Sequence, residues 1–199
     1  KAIVAYKNVL GVDDSDPTAL DALERLYRVS PNSSRDLVQI LERKIELSTH
    51  VAQRGALRHA AAKVYETELS DVYQAISQLS AILDDDAGEQ TSLSELDRIY
   101  TKQKMWPELL DIVDRRSLLA VAARDRADLA YRAAKLVETE QSDPDAAIPR
   151  YGAVLGIHPP HEQARAALEA LMSNDAYVDA TTQILERTYR AEHDPVGLA

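Results

Sequence analysis

The chain repeats itself at a fixed interval. "QILER" at Gln39–Arg43 returns at Gln183–Arg187, and "DIVDR", Asp111–Arg115, lies midway, each step being 72 residues. Other blocks keep nearly the same spacing: "AIVAYKNVL" from Ala2, "AISQLSAIL" from Ala75 and "AIPRYGAVL" from Ala147. They are followed by "ALDALERLY" from Ala19, "SLSELDRIY" from Ser92 and "ARAALEALM" from Ala164. A fourth pair, "GALRHAAAKVYETELSD" from Gly55 and "RADLAYRAAKLVETEQSD" from Arg126, places "ETELSD" and "ETEQSD" 72 residues apart. One extra residue between Tyr27 and Leu37 is the single change of register. Self-similarity at such a period marks an array whose units bury their apolar faces only against neighbours.

Each block has helical periodicity. Ile3, Tyr6, Val9 and Leu10 share one face, as do Leu20, Leu23, Leu26 and Tyr27, at the i, i+3, i+4, i+7 spacing of an amphipathic helix. Strand-favouring runs of Val, Ile and Thr are missing, and there are only six Gly. The separators carry helix chemistry. Asp16-Pro17 and Asp143-Pro144 set a capping carboxylate before a first-turn proline. Trp106-Pro107 and His158-Pro159-Pro160 interrupt helices, because proline disfavours helical geometry in the residue before it. About eleven antiparallel helices are expected, joined by short turns. Pro149 should bend the ninth or delay its start.

Composition narrows the function. No Cys is present, which removes disulfides, zinc–thiolate sites and cysteine nucleophiles and leaves the redox compartment open. A net charge of −10 argues against duplex binding, since phosphate contacts need a basic face. No apolar run reaches the roughly 18 residues of a spanning helix. A soluble protein, cytoplasmic by expectation, with no membrane insertion and no nucleic-acid partner follows.

The run "AIVAYKNVLGVDDSDPTALDALERLY" resembles the second helix of one tetratricopeptide repeat and the first helix of the next. Ala2, Tyr6 and Val9 stand at the family's small–aromatic–small positions, and Leu20, Leu23 and Tyr27 at its first-helix core. Glu24 departs from the small residue preferred there. Ala147, Tyr151, Val154, Pro159 and Leu168 match more closely, turn proline included. The long helix "GALRHAAAKVYETEL" departs from the pattern, and Arg132 falls near a position that should be apolar. The resemblance covers essentially the whole chain. It implies an all-α fold, a right-handed α-α superhelix (solenoid), as one domain over 1–199. Its 72-residue double-hairpin units would run about 2–73, 74–145 and an incomplete 146–199.

By that resemblance the chain is an interaction module, not an enzyme, binding a partner peptide or subunit along a concave face lined by first helices. The alternative is a regulatory repeat domain that responds to a ligand and controls an effector. First-helix residues off the core are Asp21, Arg25 and Arg28; then Ser94, Arg98 and Lys102; then Gln163, Ala166, Ala170 and Asn174. Arg25, Arg28, Arg58, Arg98 and Lys102 form a candidate basic strip for acidic peptide segments, since Arg pairs doubly with carboxylates. The competing reading is a solvated helix face with i,i+4 pairs such as Asp21–Arg25. The matched Asn and Lys set with which some family members grip a C-terminal carboxylate is missing: Asn8, Asn32 and Asn174 do not form it.

No cofactor or metal is expected. His158 and His161 flank two prolines and read as a polar turn. "DDDAGEQTSLSE" has the wrong glycine offset for a calcium loop and reads as helix termination and capping. Tyr6, Tyr27, Tyr100 and Tyr151 read as core packing, and Trp106 as an aromatic staple. The chain opens inside a helical pattern and closes, at "HDPVGLA", where another long helix should follow, as a fragment of a longer array of bacterial style would. Apolar seams exposed at either end would pair between molecules.

Overall fold

The computed structural model describes residues 1–193, and among them every regular element is helical. The eleven helices are α1 (Ala2–Leu10), α2 (Pro17–Val29), α3 (Ser34–Leu47), α4 (Val51–Thr67), α5 (Val72–Asp85) and α6 (Gln90–Gln103). There follow α7 (Trp106–Leu119), α8 (Ala123–Thr139), α9 (Pro144–Ile157), α10 (Glu162–Leu171) and α11 (Val178–His193). The all-α class and the hairpin repeat expected from sequence are present.

The period is written into the backbone. Helices α3, α7 and α11 begin at 34, 106 and 178, and α4 and α8 at 51 and 123. Outside glycine, a positive φ occurs at Asn32 and Lys104, and at Ser70 and Ser142. Both pairs lie one repeat apart, so even the strained turn positions recur. The long helices α4 and α8 correspond residue for residue at 72.

Caps form where the carboxylate–proline pairs predict them. Asp16 accepts from the Ala19 N–H at 2.7 Å and Asp143 from the Ala146 N–H at 2.9 Å. Pro149 sits within α9 without delaying it, since the helix already starts at Pro144. As the sixth residue of the helix, Pro149 gives up one intrahelical hydrogen bond, the one its N–H would make to the Asp145 carbonyl.

Helix contacts divide the chain into two compact units, Lys1–Ile99 and from Tyr100 onward. That boundary lies inside α6, away from the repeat boundaries near 73 and 145. In the first unit each of α1 to α5 packs on its neighbour in sequence, and Leu23, Tyr27, Leu37, Leu41 and Val64 form its core. In the second unit α7 to α11 do the same, with α9 also touching α11. Tyr151, Val154, Leu155, Leu168 and Leu185 are central to its core. The long helices bury alanines, Ala61 and Ala62 in α4 and Ala133 and Ala134 in α8, because a methyl group lets two helices approach closely. Tyr27, Tyr100 and Tyr151 are buried and Tyr6 half-buried, in line with a packing role.

The charged ends of the repeated motif, Glu42–Arg43 and Asp114–Arg115, are all half-buried. Glu42 accepts from the Tyr65 hydroxyl at 2.6 Å, Arg43 pairs with Asp14 at 2.8 Å, and Asp114 holds Arg150 at 2.9 Å. Arg132, which the pattern wanted apolar, is half-buried and donates to Thr101 Oγ1 at 3.2 Å. At the first helix, Val4 and Val9 are 62% and 41% exposed. The closing "DPVGLA" lies outside the described residues.

Candidate partner-binding surfaces

Helical spacing alone separates the faces of the first helices, and the structure shows the separation. Asp21, Arg25 and Arg28 of α2, Ser94, Arg98 and Lys102 of α6, and Gln163, Ala166 and Ala170 of α10 are all exposed. Between them on the same helices, Leu23, Leu96 and Leu168 are buried at 0%, 1% and 0% exposure. Asn174 is exposed too, but in the turn after α10, where its Oδ1 accepts from the Ala176 N–H at 3.1 Å.

The five basic residues differ in what already holds them. In the first unit, Arg28 pairs with Glu24 at 2.6 Å along its own helix. Arg98 makes a two-bond fork with Glu66, at 2.8 and 2.6 Å. Arg58 is half-buried, donating to the Ala81 carbonyl at 2.8 Å and to Asp85 at 2.7 Å. Arg25 is exposed and makes no ion pair among the described residues; the same holds for Lys102 in the second unit. The Asp21–Arg25 pair does not form, because Asp21 reaches across to Lys44 of α3 at 2.7 Å, and Lys44 also pairs with Glu24. Two carboxylates from α2 on one ammonium make a cross-helix clip in place of an along-helix pair.

Sequence reasoning missed a second feature: a cavity that recurs once per repeat. In the first unit it opens between the start of α4, the end of α5 and the start of α6, with a volume of about 330 Å³. In the second it opens between α8, α9 and α10, with a volume of about 590 Å³. At equivalent positions the first has Ala52, Asp86 and Glu89 and the second has Arg124, His158 and His161. The signal was available in the sequence, as a disagreement between copies at turns otherwise in register. Periodicity analysis looks for agreement and passes over it.

The caps beside these cavities show how one backbone role is filled by different chemistry. Glu89 accepts from the Thr91 and Ser92 N–H groups at 3.0 and 2.6 Å, and His59 Nε2 lies 3.2 Å from its Oε2, the oxygen that also accepts from Ser92. Burial would raise the Glu89 carboxyl, but the hydrogen bonds from Ser92 and Thr91 outweigh it and bring it down to about 2. One repeat on, His161 Nδ1 accepts from the Ala164 N–H at 3.1 Å. That nitrogen is therefore unprotonated and the ring proton sits on Nε2, 3.2 Å from Asp128 Oδ1 but not aligned for a hydrogen bond. Tyr131 stands where His59 stands, its ring 5.1 Å from that of His161. The polar-turn reading of His161 is thus sharpened to a buried helix cap. Among the described residues, no cluster of three His, Cys, Asp or Glu could hold a metal.

The Glu89 cap gives a prediction. Glu89→Ala should cost about 1 kcal/mol near neutral pH, the usual loss on removing a capping side chain. Because the folded carboxyl titrates at about 2 and the ordinary value is 4.5, the stabilisation is fully present above the ordinary value. It fades as the pH falls toward 2. Thermal unfolding of both proteins should therefore show a gap that narrows below pH 4.5; a gap constant down to pH 2 would contradict this account.

No helix among the described residues is long and apolar enough to cross a membrane. No family model matches the chain, and no curated protein matches it. A solved structure, MamA, is similar over 83% of this chain and 92% of its own at 13% identity, with a TM-score of 0.45. At that level the likeness assigns neither a family nor a function.

Proposed function

We propose that this chain is a protein-interaction scaffold that holds a segment of a partner polypeptide against the exposed faces of its first helices. The observation that carries the reading is the separation of faces: α2, α6 and α10 bury one stripe each while residues beside it stay exposed and change from copy to copy. Constant buried stripes serve packing, and variable exposed ones are where a repeat protein differentiates its surface. Exposed helix faces of this kind suit a peptide or a subunit better than a reaction centre, although a fold alone assigns no activity.

Within that reading the basic strip divides by availability. A carboxylate of the partner meets Arg25 and Lys102 with no internal pair to break, whereas at Arg28, Arg58 and Arg98 it must compete with Glu24, Asp85 and Glu66. Exposed ion pairs of this type are worth only about 0–1 kcal/mol each, so the competition is winnable at Arg28 and Arg98. Half-buried Arg58, tied also to a backbone carbonyl, is a positioning residue for α5.

The test is fluorescence polarisation with Asp/Glu-rich peptides and uncharged Ser/Gly-rich controls. Arg25→Glu with Lys102→Glu should weaken the acidic peptides about tenfold, since two exposed pairs worth about 0–1 kcal/mol each are lost and replaced by like-charge repulsion, with circular dichroism unchanged. Equal binding by the variant, or no saturable binding by any acidic peptide, would remove the strip from the proposal.

A further inference from the structure

The cavity of the first unit has a feature that packing does not explain. Val51, Ala52, Gly55 and Ala56 line it along one stripe of α4, and Ile82 of α5 faces them. Gly55 lies inside α4, where glycine costs about 1 kcal/mol relative to alanine. Nothing lies within 4 Å of the Cβ an alanine would place there, so no neighbour demands the glycine. One repeat on, the same position is Ala127, fully buried. The missing methyl group opens the cavity instead of admitting another part of the protein.

The rim is acidic. Asp85 at the end of α5, Asp86 after it and Glu89, which caps α6, line the opening. Asp85 is already held by Arg54 at 2.8 Å and by Arg58 at 2.7 Å. Counting the lining carboxylates Asp85, Asp86 and Glu89 against Arg54 and Arg58 leaves one negative charge uncompensated, with His59 beside Glu89. Asp86 Oδ1 accepts one bond, from the Gly88 N–H at 3.0 Å. At 330 Å³ the space lies at the lower end of the range for ligand pockets, about 300–1,000 Å³.

We infer that this slot receives a lysine side chain of the partner polypeptide, its methylene stem on Val51, Gly55 and Ile82 and its ammonium at Asp86 and Glu89. Apolar floor and acidic mouth match the two ends of that side chain, which buries its stem and keeps its charge at the surface. A compact ammonium suits a narrow slot better than a planar guanidinium does. The equivalent cavity of the second unit presents Arg124, His158 and His161 and lacks the glycine, so it does not take the same group. The inference rests on the interaction-scaffold reading but uses residues separate from Arg25 and Lys102.

The experiment is a heteronuclear NMR titration of the whole chain with n-pentylammonium as probe, and with n-pentanol and pentanoate as controls. Saturable shifts at Gly55 and Asp86, at least tenfold tighter for the ammonium than for either control, are expected. They should not appear at Ala127. Gly55→Leu should keep the helical spectrum, fill the slot and lose the response, and Asp86→Asn should weaken it while still accepting the Gly88 N–H. No saturable response at Gly55, an equal response to pentanoate, or an undiminished response in both variants would overturn the inference. Because the probe is not a peptide, such a failure leaves the peptide-binding result of the preceding test standing on its own.

Discussion

Leu41→Ala is expected to cost about 2–5 kcal/mol of unfolding free energy, the range for truncating a fully buried leucine. Leu41 is 0% exposed and sits in a core shared by Leu23 and Tyr27 of α2 and by Ala61 and Val64 of α4. It is thus enclosed from both sides, and the surrounding backbone, itself tied into helices, cannot collapse into the space. Leu185 holds the matching place in α11 and is 5% exposed, packed on α9 and α10. Among the described residues no helix lies over α11 as α4 lies over α3. Leu185→Ala should therefore cost less, because water and side-chain movement partly fill the gap. Guanidinium unfolding followed by circular dichroism measures both. Equal losses would mean that burial on one side of the helix suffices, against the account of a seam closed from both sides.

The same comparison shows which parts of the fold can be read from sequence. Helix type, register and caps were legible because each follows from local rules applied to a repeated text. Asp16 and Asp143 cap where a carboxylate precedes proline, and the helix starts recur at the interval of "QILER". The pairing of charges was not legible. Asp21 has Arg25 one turn away, yet its carboxylate goes to Lys44, 23 residues on, because helix packing brings α3 within reach and Lys44 there meets two carboxylates at once. Glu42 and Asp114 left solvent for the same reason. Their neighbours belong to helices that sequence order alone does not orient.

The candidate surfaces divide likewise. Exposure of Arg25, Arg28, Arg98 and Lys102 followed from helical phase, but the partners Glu24, Glu66 and Asp85 decide how available each cation is. The repeat-borne cavities were hidden because their walls come from three helices whose ends meet only after folding. Glu89 and His161 share one backbone task, capping the next helix, and what the side chain does besides that task is free to differ. Function is most readily encoded at such positions, since the architecture is indifferent to the choice between them.

Tyr151 provides the sharpest test of packing against polar function at one residue. It is 0% exposed, its ring lies 5.8 Å from that of Tyr131, and its hydroxyl donates to Glu138. Burial, and then the Glu138 carboxylate, push that hydroxyl well above the usual tyrosine range, so it stays a donor at any working pH. Tyr151→Ala should cost about 3–5 kcal/mol, the range for deleting a buried aromatic ring. Tyr151→Phe should cost only about 1 kcal/mol, the net worth of one hydrogen bond, because Glu138 keeps Lys135 at 2.9 Å and is not left alone. Tyr6 holds the same repeat position but is half-buried, and Tyr6→Ala should fall well below Tyr151→Ala. If the phenylalanine variant loses as much as the alanine variant, the hydroxyl and not the ring dominates at this position, and the description of these tyrosines as packing residues fails where it should be strongest.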